Sequence, residues 1–280
     1  MSSLPFKEKI HLKADNEHET AQDGLFSFVC ISRSGMQILK RNAGFKAVEL
    51  IDLRFPFTTD DALWGGRISD LVESAGFQEH VAGTELRFAV IDTKATIVPS
   101  SIFAANRKNE HFRFLFGESD GVAILDQPLS NSDAVGVFSV PTQFTEVVST
   151  SMRSAYLDWL DTLSTSTSKL KAHLIVREKQ FGLAVFKDGA LLVSNWFEYG
   201  KAEDILYYLM ATLESVRILH SEVEVVLSGE VDKGDEVHNA IGRFISKLSF
   251  AKRPKNLTYS YSFKDVPEHS YPFLFSAACA

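Results

Sequence analysis

The fold is decided by residues 172–243, which read AHLIVREKQFGLAVFKDGALLVSNWFEYGKAEDILYYLMATLESVRILHSEVEVVLSGEVDKGDEVHNAIGR. Three runs rich in apolar and β-branched residues, at 173–178, 181–187 and 190–197, predict three strands. The pair Asp188-Gly189 predicts a tight hairpin turn between the second and third of them. The stretch therefore begins with three antiparallel strands.

A long amphipathic helix follows these strands. Its apolar residues recur at steps of three and four, so one helical face can pack against the sheet. These residues are Ile205, Leu206, Leu209, Leu213, Val216 and Leu219. A fourth strand at 223–227 is apolar at consecutive positions, which is typical of a strand covered on both faces. With a further helix from about residue 235, the stretch describes one α/β module.

The first half of the chain repeats this order of elements. Strands are predicted at 7–14, 26–32 and 36–40, with Ser34-Gly35 as a hairpin turn. We align this turn with the one at 188–189, which leaves residues 45–53 without a counterpart. The repetition indicates an internal duplication.

Other elements complete the prediction. A helix is expected from 61 to about 75 and a buried strand at 86–91. Alternate aromatic residues predict a hairpin over 112–125, and the apolar tail 271–280 predicts a closing strand or helix, with a strand at 271–275. The polar run 164–169 is the best linker, so we divide the chain into halves 1–163 and 170–280 with a cleft between them.

Composition limits the classes of function. The chain has 280 residues, of which 45% are hydrophobic and 23% charged, as in a globular protein. A net charge of −7 disfavours binding to nucleic acid or to an anionic membrane. We expect Cys30 and Cys279 to be free thiols, and we expect neither a signal peptide nor a membrane anchor, since no run reaches the roughly 20 apolar residues that span a bilayer. We expect a cytoplasmic protein without membrane insertion.

Two motifs carry a resemblance to known proteins. Residues 183–189, LAVFKDG, and 225–230, VVLSGE followed by a helix, resemble the actin-like ATPase superfamily of sugar kinases, chaperones and pilus-assembly actin homologues. The chain also resembles an uncharacterised bacterial family of the DUF3822 type with that fold, in its segment 98–103 and in the aromatic stretch that ends at Phe275. The resemblance implies an α/β fold of two RNase H-like halves, with mixed sheets flanked by helices.

The same resemblance implies where a nucleotide would bind. ATP-using relatives place Asp-x-Gly in the turn between the first two strands of a half, because backbone amides there hold phosphate. Here that turn is Arg177-Glu178-Lys179-Gln180, and the first half offers Asp15-Asn16-Glu17. Relatives also carry two glycines after the fourth strand, whereas this sequence has Gly229 followed by Glu230. The nucleotide site is therefore predicted to be degenerate.

Ser228-Gly229-Glu230 is the candidate site that remains. One interpretation is a vestigial cofactor-binding site for a nucleotide. The other is a strand-to-helix turn in which glycine permits an unusual backbone angle and Glu230 faces a helix N-terminus. We favour the structural interpretation.

Other site classes have less support. Asp52, Asp92 and Glu230 lie near strand ends and could hold two metals, but separate surface carboxylates fit better. The eight histidines show no zinc-ligand spacing, and Ser228 has no histidine partner in sequence for a hydrolase. The phenylalanines of 112–116 could stack on the bases of a single-stranded nucleic acid. The net negative charge disfavours that partner, and alternate aromatic residues are usual on the buried face of a hairpin, so we favour a core role. We predict no catalytic residue and no metal site.

Our leading hypothesis is a non-catalytic protein that needs no cofactor and binds a protein partner through its cleft or an exposed strand edge. A homodimer is compatible with this hypothesis. The alternative is an ATP-binding ATPase or phosphotransferase that uses ATP and Mg²⁺ with atypical phosphate loops.

Overall fold

The structure of the protein is a computed structural model that describes residues 7–14, 24–91, 94–118, 120–147, 152–166 and 169–279. The chain forms two compact units. The first comprises Met1–Trp159, Pro254–Asp265 and Phe273–Ala280, and the second comprises Leu160–Arg253 and Val266–Pro272. A helix continues to Ser166, so part of the predicted linker 164–169 is helical. The division into sequence-contiguous halves stays a prediction.

The described residues form fifteen strands. They are β1 Lys7–Lys13, β2 Phe26–Ser32, β3 Gly35–Arg41, β4 Lys46–Arg54, β5 Glu85–Ile91, β6 Ala95–Pro99, β7 Val122–Pro128, β8 Ala134–Pro141, β9 Arg153–Ser154, β10 Lys171–Val176, β11 Gln180–Lys187, β12 Ala190–Glu198, β13 Glu224–Gly229, β14 Leu248–Phe250 and β15 Thr258–Tyr259.

The same residues form eight α-helices and two short 3-10 helices. The α-helices are α1 Asp61–Glu73, α2 Ala75–Val81, α3 Lys108–Phe116, α4 Thr142–Val147, α5 Ala155–Ser166, α6 Ala202–Ser215, α7 Glu236–Gly242 and α8 Pro272–Cys279. The 3-10 helices are Ala105–Arg107 and Tyr261–Phe263. The mixed α/β class predicted from the sequence is confirmed.

Each unit contains a mixed sheet with the same central order. In the first unit the sheet runs β1-β4-β3-β2-β5-β9, and β15 also pairs with β4. In the second unit the sheet runs β12-β11-β10-β13-β14. In both, three antiparallel strands are followed by two that run parallel to the first of the three. The order third, second, first, fourth, fifth therefore occurs twice, as expected for duplicated RNase H-like modules.

This pairing corrects our alignment of the two modules. The strand that pairs parallel with β5 is β2, and the strand that pairs parallel with β13 is β10, so β2 corresponds to β10. It follows that β4 corresponds to β12, and the prediction that residues 45–53 have no counterpart is wrong. The strand without a counterpart is β1, which adds antiparallel to the outer edge of β4. The turns at 34–35 and 188–189 both contain glycine and look alike in sequence. They are distinguished only by parallel pairing, because the first turn follows β2, which pairs with β5, whereas the second follows β11 and it is β10 that pairs with β13.

A three-stranded sheet in the order β6-β8-β7 also belongs to the first unit. The predicted hairpin over 112–125 is wrong, because residues 108–116 form α3. Phe112 is buried and Phe114 is 90% exposed, as residues two positions apart are on a helix. The predicted closing strand at 271–275 is also wrong. Pro272 is the first residue of α8. Proline is favoured there because the backbone N–H of a first helical residue has no partner within the helix, so its absence costs nothing.

The helix predicted after the strands of the second unit packs as expected. Ile205, Leu209 and Leu213 of α6 are buried in one cluster with the apolar residues of β10, β11 and β13. Burial of such side chains stabilises a fold by roughly 1.5 to 3 kcal/mol each. The packed sheet and helix thus hold the C-terminal ends of β10, β12 and β13 in fixed positions, where the candidate site lies.

Candidate functional site

Ser228, Gly229 and Glu230 lie where β13 ends. The Ser228 hydroxyl donates to the carbonyl oxygen of Leu174 at 2.9 Å and is buried. The Gly229 amide donates to the His269 carbonyl at 2.8 Å, and the Glu230 amide donates to the Val176 carbonyl at 2.8 Å. These three donors are therefore engaged by the protein itself.

Gly229 is required by the close approach of β10. Its φ of +90° lies in the left-handed region, and a Cβ atom there would overlap the carbonyl oxygen of Val176. Glu230 is exposed, and the loop after it is closed by Asp235, which accepts hydrogen bonds from the amides of Asp232 and His238 at 2.8 and 2.7 Å. The hydrogen bonds and the backbone angle are those of a strand-to-helix turn.

In the second unit, the turn predicted to correspond to a phosphate loop joins β10 to β11. The Arg177 amide donates to the Gln180 carbonyl at 2.9 Å, which closes the turn on itself. The Tyr199 hydroxyl donates to the Arg177 carbonyl at 2.6 Å, and the Tyr199 amide donates to the Lys179 carbonyl at 3.2 Å. The turn is thus tied to the end of β12.

The corresponding turn of the first unit differs from our prediction. Because β2 is the first strand of the meander, this turn is Arg33-Ser34, while Asp15-Asn16-Glu17 lie outside the described residues. Arg33 is 8% exposed, and its guanidinium pairs with Asp61 at 2.6 Å and lies 4.5 Å from the ring centre of Trp64. The side chain of the turn fixes the start of α1.

Of the three carboxylates weighed as a possible metal pair, Asp52 and Glu230 lie among the described residues. Asp52 is fully buried and accepts two hydrogen bonds from Arg54, at 2.7 and 3.0 Å. Glu230 belongs to the other compact unit, and Asp92 lies outside the described residues. Asp52 is accordingly half of an ion pair.

Sequence reasoning missed an acidic aromatic pocket in the second unit. A cavity of about 600 Å³ opens between the end of β12 and the start of α6. It is lined by Glu198, Tyr199, Gly200, Asp204, Tyr207 and Tyr208. Its signal in the sequence is the run of three acids and three tyrosines within 198–208, which a search for the apolar face of the helix passes over.

Side-chain packing fixes the walls of this pocket. Tyr208 stacks on Phe197 with ring centres 4.4 Å apart, and Tyr207 meets Tyr208 edge to face at 5.4 Å. Asp204 accepts hydrogen bonds from the amides of Gly200 and Lys201, at 2.9 and 3.1 Å, and these bonds lower its pKa. Burial, and then the nearby acids, raise the pKa of Tyr199 to about 12. The pocket therefore combines aromatic faces with negative charge.

The repeated sheet defines the class of the protein, which has the actin-like ATPase fold. A solved structure with that fold and unknown function, from Bacteroides thetaiotaomicron, superposes with a TM-score of 0.71 at 15% identity and covers 83% of this chain and 93% of its own. A chain of the PilM-PilN type IV pilus biogenesis complex superposes with a TM-score of 0.62 at 11% identity, covering 92% of this chain and 98% of its own.

The chain belongs to the family described as protein of unknown function (DUF3822), which matches residues 83–248. The resemblance inferred from the sequence is thereby confirmed. No curated protein matches the sequence. None of the helices among the described residues has the length and apolar character needed to cross a membrane.

Proposed function

We propose that this protein binds a protein partner without catalysing a reaction, and that the partner adds an extended segment to the outer edge of β12. The observation that carries the proposal is the difference between two equivalent strands. The outer edge of β4 is covered by β1, whereas β12 ends its sheet in the part of the chain that the structure describes. The first unit thus contains an example of the strand that we propose the second unit receives.

The side chains of β12 suit such an addition. Leu191, Val193 and Phe197 are only partly buried, and Leu192 is 43% exposed. An edge strand with apolar side chains is a template for another chain, because main-chain hydrogen bonds give affinity and side-chain pockets give specificity.

The pocket beside Glu198 indicates the chemistry of the partner. Tyr207 is 68% exposed and lines the pocket together with Glu198 and Asp204. A cation over an aromatic ring with carboxylates nearby gains both cation-π and ionic attraction. We therefore propose that the bound segment carries a lysine or arginine. If it runs antiparallel to β12, as β1 does to β4, that residue lies near its N-terminal end.

A degenerate nucleotide site is the second part of the proposal. The amides of Arg177, Gly229 and Glu230 are bonded to carbonyl groups, and neither first turn contains an aspartate. These contacts support loss of phosphate binding. The PilM-PilN complex shows that a protein of this fold occurs in an assembly of proteins. We propose the cytoplasm as the compartment. We also propose that the partner is not a nucleic acid, because a net charge of −7 disfavours binding to phosphates.

A random-peptide display library selected on the full chain tests the proposal. We expect enriched peptides with alternating apolar residues and a Lys or Arg near the N-terminal end. Glu198→Lys and Tyr207→Ala should each weaken the selected peptides by about tenfold, since each removes roughly 1 to 2 kcal/mol of attraction to the cation.

Matched variants serve as controls for that selection. Glu222→Lys changes an exposed glutamate elsewhere in the second unit, and Tyr261→Ala changes a tyrosine that is 72% exposed in the first. Both controls should bind the peptides as the wild type does. Enrichment no greater than on an unrelated protein, or equal binding by Glu198→Lys, would contradict the proposal.

A further inference from the structure

Three potential metal ligands meet in the first unit, on elements far apart in sequence. They are His11 on β1, Glu49 on β4 and His80 on α2, and one ligand atom from each lies within 4.8 Å of the others. We propose that these side chains bind a divalent transition metal such as Zn²⁺, a site that the spacing of histidines in the sequence does not indicate.

The sheet places two of the ligands on one face. Residue 11 of β1 pairs with Ile51 and Lys13 pairs with Glu49, so His11 and Glu49 are diagonal neighbours on the same side of the sheet. The rings of His11 and His80 are perpendicular with centres 5.4 Å apart, which brings α2 to the same point. Three elements thus deliver two imidazoles and one carboxylate, a ligand set that zinc accepts with water in the fourth position.

The two carboxylate oxygens of Glu49 have different partners. Its Oε2 atom pairs with Lys40 Nζ at 2.6 Å, and its Oε1 atom lies 2.8 Å from His11 Nε2. In the metal-free state a proton joins Oε1 and Nε2. A metal at about 2.0 to 2.2 Å from each atom would replace that proton after a small widening of the pair.

Outer groups support the same geometry. The Nδ1 atom of His11 lies 3.7 Å from Glu8 Oε2, so the imidazole can direct Nδ1–H toward a carboxylate and leave Nε2 for the metal. The Glu49 side chain is only 7% exposed and that of His11 is 33% exposed. A buried carboxylate with a partly open histidine gives the ion a fixed anchor and a path of entry.

Metal binding here would fasten the strand that is unique to the first unit. β1 pairs with the outer edge of β4, and its residues are mostly exposed. A metal joined to His11, Glu49 and His80 ties this strand to the sheet and to α2. We therefore expect the bound ion to slow hydrogen exchange of the β1 amides.

Titration of the purified full chain with Co²⁺ tests the site, because cobalt bound by two imidazoles and a carboxylate gives visible absorption bands. We expect one equivalent to bind the wild type and to be displaced by Zn²⁺. His80→Ala and Glu49→Gln should each lower the affinity by about tenfold or more. Glu49→Gln keeps the shape of the side chain, so it tests ligation if His80→Ala does not fold.

A histidine outside the cluster supplies the control. His220 is exposed in the second unit, and His220→Ala should bind Co²⁺ like the wild type. At a Co²⁺ concentration that just saturates the wild type, exchange of the β1 amides should slow in the wild type and in His220→Ala, and it should slow much less in Glu49→Gln. Absence of saturable cobalt absorption in the wild type, or equal affinity in His80→Ala and Glu49→Gln, would overturn the proposal.

Discussion

Replacement of Gly229 by alanine is expected to lower the free energy of unfolding by about 4 kcal/mol. A non-glycine residue in the left-handed region costs roughly 1 to 2 kcal/mol. At this position the added Cβ also overlaps the carbonyl oxygen of Val176, which is backbone of a neighbouring strand and cannot move away as a side chain can. Chemical denaturation of purified Gly229→Ala and wild-type protein measures the difference.

Gly234 provides a matched control for this substitution. Its φ of +92° is close to that of Gly229, but nothing lies within 4 Å of a Cβ atom built on it. Gly234→Ala should therefore cost only about 1 kcal/mol, the backbone contribution alone. Equal losses in the two variants would show that the close approach to β10 is not what fixes Gly229.

The second large effect is a loss of stability in acid that depends on His173. This histidine is buried in β10, and burial, followed by the charge of Lys171, lowers its pKa from 6.5 to about 4. The folded state therefore favours the neutral ring. The contribution of the neutral ring to the free energy of unfolding is present above pH 6.5 and is lost as the pH falls toward 4. In that range the unfolded chain binds a proton at His173 and the folded chain does not.

The magnitude follows from the same pKa. Between pH 7 and pH 5 the wild type should lose about 2 kcal/mol through His173. His173→Gln cannot titrate, so its unfolding free energy should fall less over that range by this amount. His220→Gln, at an exposed histidine, should follow the wild-type profile. Parallel profiles for wild type and His173→Gln would contradict the prediction.

The architecture of the second unit could be predicted because its local signals agree. The Asp188-Gly189 turn, the flanking apolar runs and the helical period of α6 each indicate the element that forms. The register between the two modules could not be predicted, because it depends on which strand receives the parallel partner. The pairing of β2 with β5 joins strands that are far apart in sequence, and the residues of the turns do not indicate it.

Local patterns also conflict where tertiary packing decides. Phe112, Phe114 and Phe116 alternate like a strand, yet the segment is a helix that buries Phe112 against Val98 and Val137. Three alternate aromatic residues are too few to separate a strand from a helix. The helix buries Phe112, packs Phe116 against the same cluster and leaves Phe114 exposed.

The candidate site was predictable only in part. Gly229 and Glu230 could be located at the end of a buried strand, and the structural interpretation agrees with the hydrogen bonds found there. The cluster of His11, Glu49 and His80 could not be located, because its residues come from elements that meet only after folding. The pocket beside β12 was missed because its acids and tyrosines lie off the apolar face by which the helix is recognised. In neither case does the spacing along the chain resemble a known ligand motif.

Calorimetric titration of the full chain with ATP and Mg²⁺ tests whether the nucleotide site is degenerate. We expect heats equal to those of dilution and an unchanged unfolding temperature at millimolar nucleotide, because the amides at the ends of β10 and β13 already bind carbonyl groups. Saturable binding, with a stabilisation of about 2.7 kcal/mol at one hundred times the dissociation constant, would contradict this expectation.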